Sequence, residues 1–182
     1  MSRIRLKLKN VSEIVGTEEL GLLILTDEQE ALQLSVVCDR DMLFQFGLRL
    51  QNVPITDTLL PEVLCKLLAM QTTLHFDIVI HDIVDGQYRT VLLNRDTLQT
   101  LPIRASDAIL LSYIHHIPIY IEEDLMRRQS TPYKENSHGM ALPVNSLSDD
   151  MLQLALDHAV AEERYELASY LRDEMNKRKQ HN

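Results

Sequence analysis

The chain opens with apolar and polar positions in alternation. Residues 3–9 set Ile4, Leu6 and Leu8 against Arg3, Arg5, Lys7 and Lys9, the period-two pattern of a strand with one wet face. The four cations suit either a small phosphate-facing stripe or the charges that keep a sheet edge from pairing with a neighbour. Residues 20–26 and 31–37 are strongly apolar and flank Asp27-Glu28-Gln29-Glu30, which predicts a hairpin. The period then lengthens. Asp39 or Asp41 starts a short helix that buries Met42, Leu43, Phe46 and Leu50 and ends at Asn52 and Pro54. The run Thr56-Asp57-Thr58 caps a second helix, with Pro61 in its first turn and an apolar face of Leu60, Val63, Leu64, Leu67 and Leu68. Alternation returns over residues 74–81, where Leu74, Phe76, Ile78 and Ile80 oppose a wetter face of His75, Asp77 and His81. Asp85-Gly86 turns that strand into another over 88–94.

The stretch 101–125 reads as strand end, helix and strand. Ile103 closes the strand after 98–103. Ser106 is a good N-cap, Asp107 suits the positive end of a helix, and Ile109, Leu110, Tyr113 and Ile114 recur at helical spacing. Pro118 stops the helix, and Ile117, Ile119 and Ile121 alternate with Tyr120 before a short helix over 122–128. A polar Arg-Ala-Ser-Asp turn at a helix start between two strands is a place where backbone N–H groups and a carboxylate can meet a ligand; the same residues also serve as plain caps. Adjacent strands are too many for a doubly wound sheet, so the expected class is α+β, with mixed, largely antiparallel sheets packed with helices.

At residue 129 the pattern lapses. Residues 129–146 are rich in Ser, Thr, Pro, Asn and His with few apolar anchors, as in a flexible linker. Beyond it, Ser148 with Asp149 and Asp150 starts a helix with the stripe Leu152, Leu156, Ala159 and Val160, and a second stripe runs Tyr165, Ala168, Leu171, Arg172 and Met175. The expected organisation is a domain over 1–128, a linker over 129–146 and an α-helical hairpin over 147–182. A hairpin this short buries little surface alone and favours association with a protein partner or a second copy.

Composition narrows the function. The chain of 182 residues is 45% hydrophobic, enough for a real core. It has no apolar run of the roughly 20 residues that span a bilayer and no signal-peptide core, and Cys38 and Cys65 lack any metal or redox spacing; a cytoplasmic protein is expected, with no membrane partner. Residues 1–130 carry 12 basic and 18 acidic side chains and residues 131–182 carry 6 and 9, so neither part offers the basic surface of a general nucleic-acid binder. An acidic nuclease remains workable where carboxylates gather a divalent metal against the phosphate. For that chemistry Asp107 with Asp57, Asp39 or Asp41 is the candidate cluster, and Mg²⁺ or Mn²⁺ the cation, since both prefer oxygen ligands. His75, Asp77, His81, His115 and His116 have no strong ligand spacing, and the chain has no Gly-rich phosphate loop.

Two resemblances bear on these patterns. Arg104-Ala105-Ser106-Asp107-Ala108-Ile109, followed by Pro118-Ile119-Tyr120-Ile121, resembles the signature of the bifunctional nuclease family, from about residue 21 to about 128. That family usually has Pro where this chain has Ala105, and a His where Ile55-Thr56-Asp57-Thr58 has none; it also has a Trp, and this chain has no Trp. The resemblance implies hydrolysis of DNA and RNA, with Asp107, Ser106, Arg104 and Asp57 at the site and Asp107 and Asp57 toward the metal. Residues 159–175, with Tyr165-Glu166, Ala168 and Leu171-Arg172-Asp173, resemble the UVR motif, a protein-contact hairpin. The alternative to a nuclease is a non-catalytic scaffold that oligomerises through its domain and recruits a partner through the hairpin.

Overall fold

The computed structural model describes residues 2–14, 20–71, 75–133, 147 and 149–179. The strands are β1 (Arg3–Glu13), β2 (Leu20–Asp27), β3 (Leu32–Asp39), β4 (Phe76–Val84), β5 (Gln87–Asn94), β6 (Thr100–Arg104), β7 (Ile119–Glu122) and β8 (Thr131–Pro132). The helices are α1 (Arg40–Leu50), α2 (Leu60–Gln71), α3 (Ala105–His115), α4 (Glu123–Gln129), α5 (Asp149–Ala161) and α6 (Tyr165–Lys179), with a 3₁₀ turn at Pro54–Thr58. One sheet runs β6-β5-β4-β7-β1-β2-β3-β8. Every neighbouring pair is antiparallel except β4 and β7, which are parallel because the chain between them crosses over through α3. The expected α+β class holds, and α5 and α6 form the C-terminal hairpin.

Strand β2 explains the layering. Its side chains from Leu20 to Thr26 are all buried, so both of its faces need cover. Leu23 and Leu25 point into a core with Leu34, Phe46, Ile78, Ile109, Ile121 and Met126, under α1, α3 and α4. Leu20, Leu22 and Ile24 point the other way, against Leu147, Leu152, Ala155, Ala159, Ala168 and Leu171 of the hairpin. Each fully buried Leu there contributes roughly 1.5–3 kcal/mol, so the hairpin packs as part of the fold. Its seam differs from the stripes read along the sequence: Val160 and Tyr165 lie outside, 52% and 67% exposed, because Ala155, Ala159 and Ala168 let the helices approach the sheet on another line.

Several further expectations are corrected. Strand β1 lies inside the sheet between β2 and β7, so its cations guard no edge; Arg5 and Lys9 pair instead with Glu28 at 3.6 Å and Glu30 at 2.7 Å beside the β2–β3 turn. Asp77 is buried, with Arg95 Nε 3.4 Å from Oδ1, because both faces of the first half of β4 are covered. Thr131–Pro132 pairs with Leu32 and Gln33 on β3, an edge formed by residues the sequence assigns to the linker. Residues 134–146, Leu74 and Ser148 lie outside the described residues.

The largest reversal is α2. Its expected buried face, Leu60, Val63, Leu64, Leu67 and Leu68, is exposed, while Glu62 and Cys65 face the body. Glu62 is drawn inward by Arg49 of α1, whose Nε and Nη2 donate to Oε1 and Oε2 at 2.7 and 2.8 Å, while Nη1 donates to the Gln45 carbonyl at 2.7 Å. This places Arg49 on the buried side of α1 and turns Leu50 out, 52% exposed.

Two predictions follow from this packing. Arg49→Leu strands a buried carboxylate and should cost roughly 3–5 kcal/mol, read as a fall in the denaturation midpoint; Glu62→Leu added to it should recover much of the loss, and no recovery would mean that the pair does not set the orientation of α2. Gly86 has φ +72° and a Cβ there would collide with the Leu147 carbonyl. Gly86→Ala should therefore loosen the hairpin, seen as faster proteolytic release of a C-terminal fragment from an otherwise folded domain.

Candidate functional site

The two ends of the curved sheet meet where β3 and β6 stop. Asp39 ends β3 in extended backbone and caps α1, its Oδ1 accepting from the Met42 N–H at 2.8 Å. Arg104 ends β6, also extended, at the N-cap of α3, and has no side-chain acceptor for the helix. Sixty-five residues apart in sequence, these cap residues join: Arg104 Nη1 donates to Asp39 Oδ2 at 2.6 Å. Arg104 Nε donates to Asp107 Oδ2 at 2.8 Å and Nη2 to Oδ1 at 3.3 Å. The hydrogen bond donated to Asp107, with that to Asp39 adding, holds the guanidinium above its ordinary value against the opposing effect of burial. Arg104, Asp39 and Asp107 are 57%, 41% and 43% exposed. Exposed pairs of this kind add only about 0–1 kcal/mol each to stability, so their effect is to position the guanidinium.

Asp39 and Arg104 of this cluster line a cavity of about 580 Å³ between β3, β5, β6 and the start of α3, with Met151 of α5 on its wall; Asp107 is not in the lining and is tied to the cavity through Arg104. Ser106 lines it and is 3% exposed. Its residue sits in the first turn of α3, after the cap and not at it, which corrects the capping reading. Tyr88, Thr90 and Cys38 are buried in the lining. The Thr90 hydroxyl has no hydrogen-bond partner among the described residues. Burial pushes the Tyr88 phenol up, and burial with the charge of Asp39 pushes the Cys38 thiol up to about 12.

Three further polar residues come to the cavity that sequence reasoning did not bring there. Arg89 faces Arg104 across β5 and β6 and Asp82 across β4 and β5, lines the cavity and forms no ion pair among the described residues. Gln87 adds an amide. His81 stands at a β-bulge, where the register of β4 against β5 shifts between Ile80 and Asp82, and such bulges re-aim side chains. The bulge leaves no mark in the sequence; Arg89 was legible only as an alternating polar position.

Asp57 does not line the cavity. It sits in the 3₁₀ turn, 81% exposed, with Oδ1 3.8 Å from Lys66 Nζ. Asp57 meets Lys66 and Asp107 meets Arg104, and no contact joins the two carboxylates among the described residues. Asp39 and Asp107 are bridged by the Arg104 guanidinium, and each of their four oxygens accepts one hydrogen bond. The arrangement can present two adjacent guanidinium groups, a buried hydroxyl and the N–H groups of a helix start to an anion, with carboxylates alongside.

A family model described as the bifunctional nuclease domain matches residues 23–134. Among curated proteins, none matches the chain.

The cavity walls predict thiol behaviour. With both values raised by burial, Cys38 and Cys65 should resist iodoacetamide at about pH 8 in the native protein and label on unfolding; rapid native labelling of Cys38 would show that wall to be open.

Proposed function

The chain belongs to the bifunctional nuclease domain family, and from that premise we propose that it hydrolyses phosphodiester bonds in DNA and RNA, with the phosphate seated between Arg89 and Arg104. The observation that carries this reading is the juxtaposition of these two arginines. Like charges directly opposite in a sheet repel; Arg104 is ion-paired with Asp39 and Asp107, whereas Arg89, with Asp82 opposite it on β4, forms no ion pair among the described residues. An anion at the mouth of the cavity relieves that repulsion.

In the reaction, water adds to phosphorus in line with the departing sugar oxygen, the P–O bond to that oxygen breaks, and the alkoxide takes a proton from solvent. Asp107 receives the proton of the attacking water, through Oδ1, which Arg104 holds only at 3.3 Å. Arg89 and Arg104 oppose the charge that builds on the non-bridging oxygens, and Ser106 donates its hydroxyl to one of them. Asp39 is a positioning residue that orients Arg104 through the 2.6 Å bond. The acidity of the rest of the chain confines nucleic acid to this mouth. In keeping with its two buried thiols, we assign the protein to the cytoplasm; no helix among the described residues is long and apolar enough to cross a membrane.

A second reading rests on the hairpin. With its inner stripe packed on β2, Leu154, Val160, Tyr165 and Tyr170 still face outward, 41–67% exposed, and a UVR-like hairpin so docked would recruit a protein partner in a non-catalytic scaffold.

One assay separates them. Purified protein should cleave single-stranded DNA or RNA. Asp107→Asn should lower the rate well over tenfold without lowering the melting temperature, and Arg89→Ala should lower kcat more than it raises KM. Parallel reactions with Mg²⁺, Mn²⁺ or a chelator report whether a divalent cation joins the phosphate. No cleavage above a mock preparation under any of these conditions would leave the scaffold as the reading that stands.

A further inference from the structure

The cavity is larger than a seat for one phosphate. Arg89 and Arg104 oppose each other across β5 and β6, as do Thr90 and Ile103 one position along, and successive side chains of a strand point to opposite faces. The arginines therefore stand on one face and Thr90 and Ile103 on the other, and the cavity that all four line reaches both. Its character changes on the way. The Arg104 side chain is 57% exposed, whereas Thr90 is 4% exposed and its hydroxyl has no hydrogen-bond partner among the described residues. Val36, Val91, Ile103 and, from the hairpin, Met151 supply aliphatic walls. The volume of about 580 Å³ lies within the roughly 300–1,000 Å³ of sites that enclose a small organic ligand.

We propose that the cavity is a mononucleotide pocket: the 5′-phosphate sits between Arg89 and Arg104, and the base lies among the aliphatic walls with its edge hydrogen-bonded to Thr90. This rests on the phosphate seat of the proposed function and not on hydrolysis. Charge and polarity select the ligand. Inorganic phosphate fills the arginine end alone and leaves the aliphatic walls wet. A fatty acid covers the walls and leaves the buried hydroxyl without a partner, a state that native interiors hold to a few groups. A base satisfies both. Because a hydroxyl donates and accepts, Thr90 meets either kind of base edge, which suits a site that takes more than one base. A nucleotide paired in a duplex is excluded until its base leaves the stack, so the pocket takes a strand end or an unpaired nucleotide.

Calorimetric titration of the full chain with adenosine 5′-monophosphate, ribose 5-phosphate and inorganic phosphate tests this. The nucleotide should bind more than about tenfold tighter than ribose 5-phosphate, through burial of the base, and Arg89→Ala should weaken both by similar factors. Thr90→Val should weaken the nucleotide about tenfold and leave ribose 5-phosphate unchanged, without lowering the melting temperature, since it deletes a buried hydroxyl that makes no bond within the protein. A Thr90 with a merely structural role would instead lower the melting temperature and leave the two ligands in the same ratio. A nucleotide that binds no tighter than ribose 5-phosphate, or whose binding neither variant changes, overturns the pocket. The cleavage assay fails separately: nucleotide bound without cleavage removes the enzyme and keeps the pocket, and cleavage without a preference for the nucleotide does the converse.

Discussion

Burial of β2 on both faces is the constraint from which the rest of the architecture follows. A strand with no wet side cannot end a sheet or face solvent. It therefore requires strands on either side, which β1 and β3 supply, and a layer above and below. One layer is α1, α3 and α4; the other is the hairpin, reached only after the chain has completed the sheet. The C-terminal helices thus do structural work for residues more than a hundred positions earlier, with Leu152 and Leu171 both fully buried against that face.

The same curvature builds the cavity. Strands β3 and β6 lie far apart in the order of the sheet, yet their last residues, Asp39 and Arg104, are 2.6 Å apart at the starts of two helices. Two helix N-termini and one arginine face two carboxylates there, a balance that keeps Arg104 charged and fixed. The hairpin closes one wall through Met151, and its first described residue, Leu147, rests on the Gly86 turn between the two strands that carry His81 and Arg89. Hairpin and cavity consequently share a boundary.

Helix α2 shows a polar pair overruling an apolar stripe. Burying Glu62 is acceptable only because Arg49 meets it with two parallel hydrogen bonds, and breaking either half would leave a charge without compensation. The orientation is specific for that reason, and it leaves the leucines of α2 exposed.

Sequence periodicity alone determined the α+β class, both hairpins, the Asp85-Gly86 turn, the helix that begins near Asp107 and the helical hairpin at the C-terminus, because those features depend on spacing within a few residues. Arg104, Ser106 and Asp107 were legible together because they are adjacent in one turn. Tertiary structure alone decided which carboxylate joins them: Asp39 and Asp57 look alike as acidic residues near helix starts, and only the closing of the sheet brings Asp39 to Arg104 and leaves Asp57 beside Lys66. It also decided that Arg89 stands opposite Arg104, that a bulge turns His81 to the cavity, and that α2 faces outward. Each of these depends on a contact between distant segments, and the energy of such a contact is not a property of either segment's own pattern.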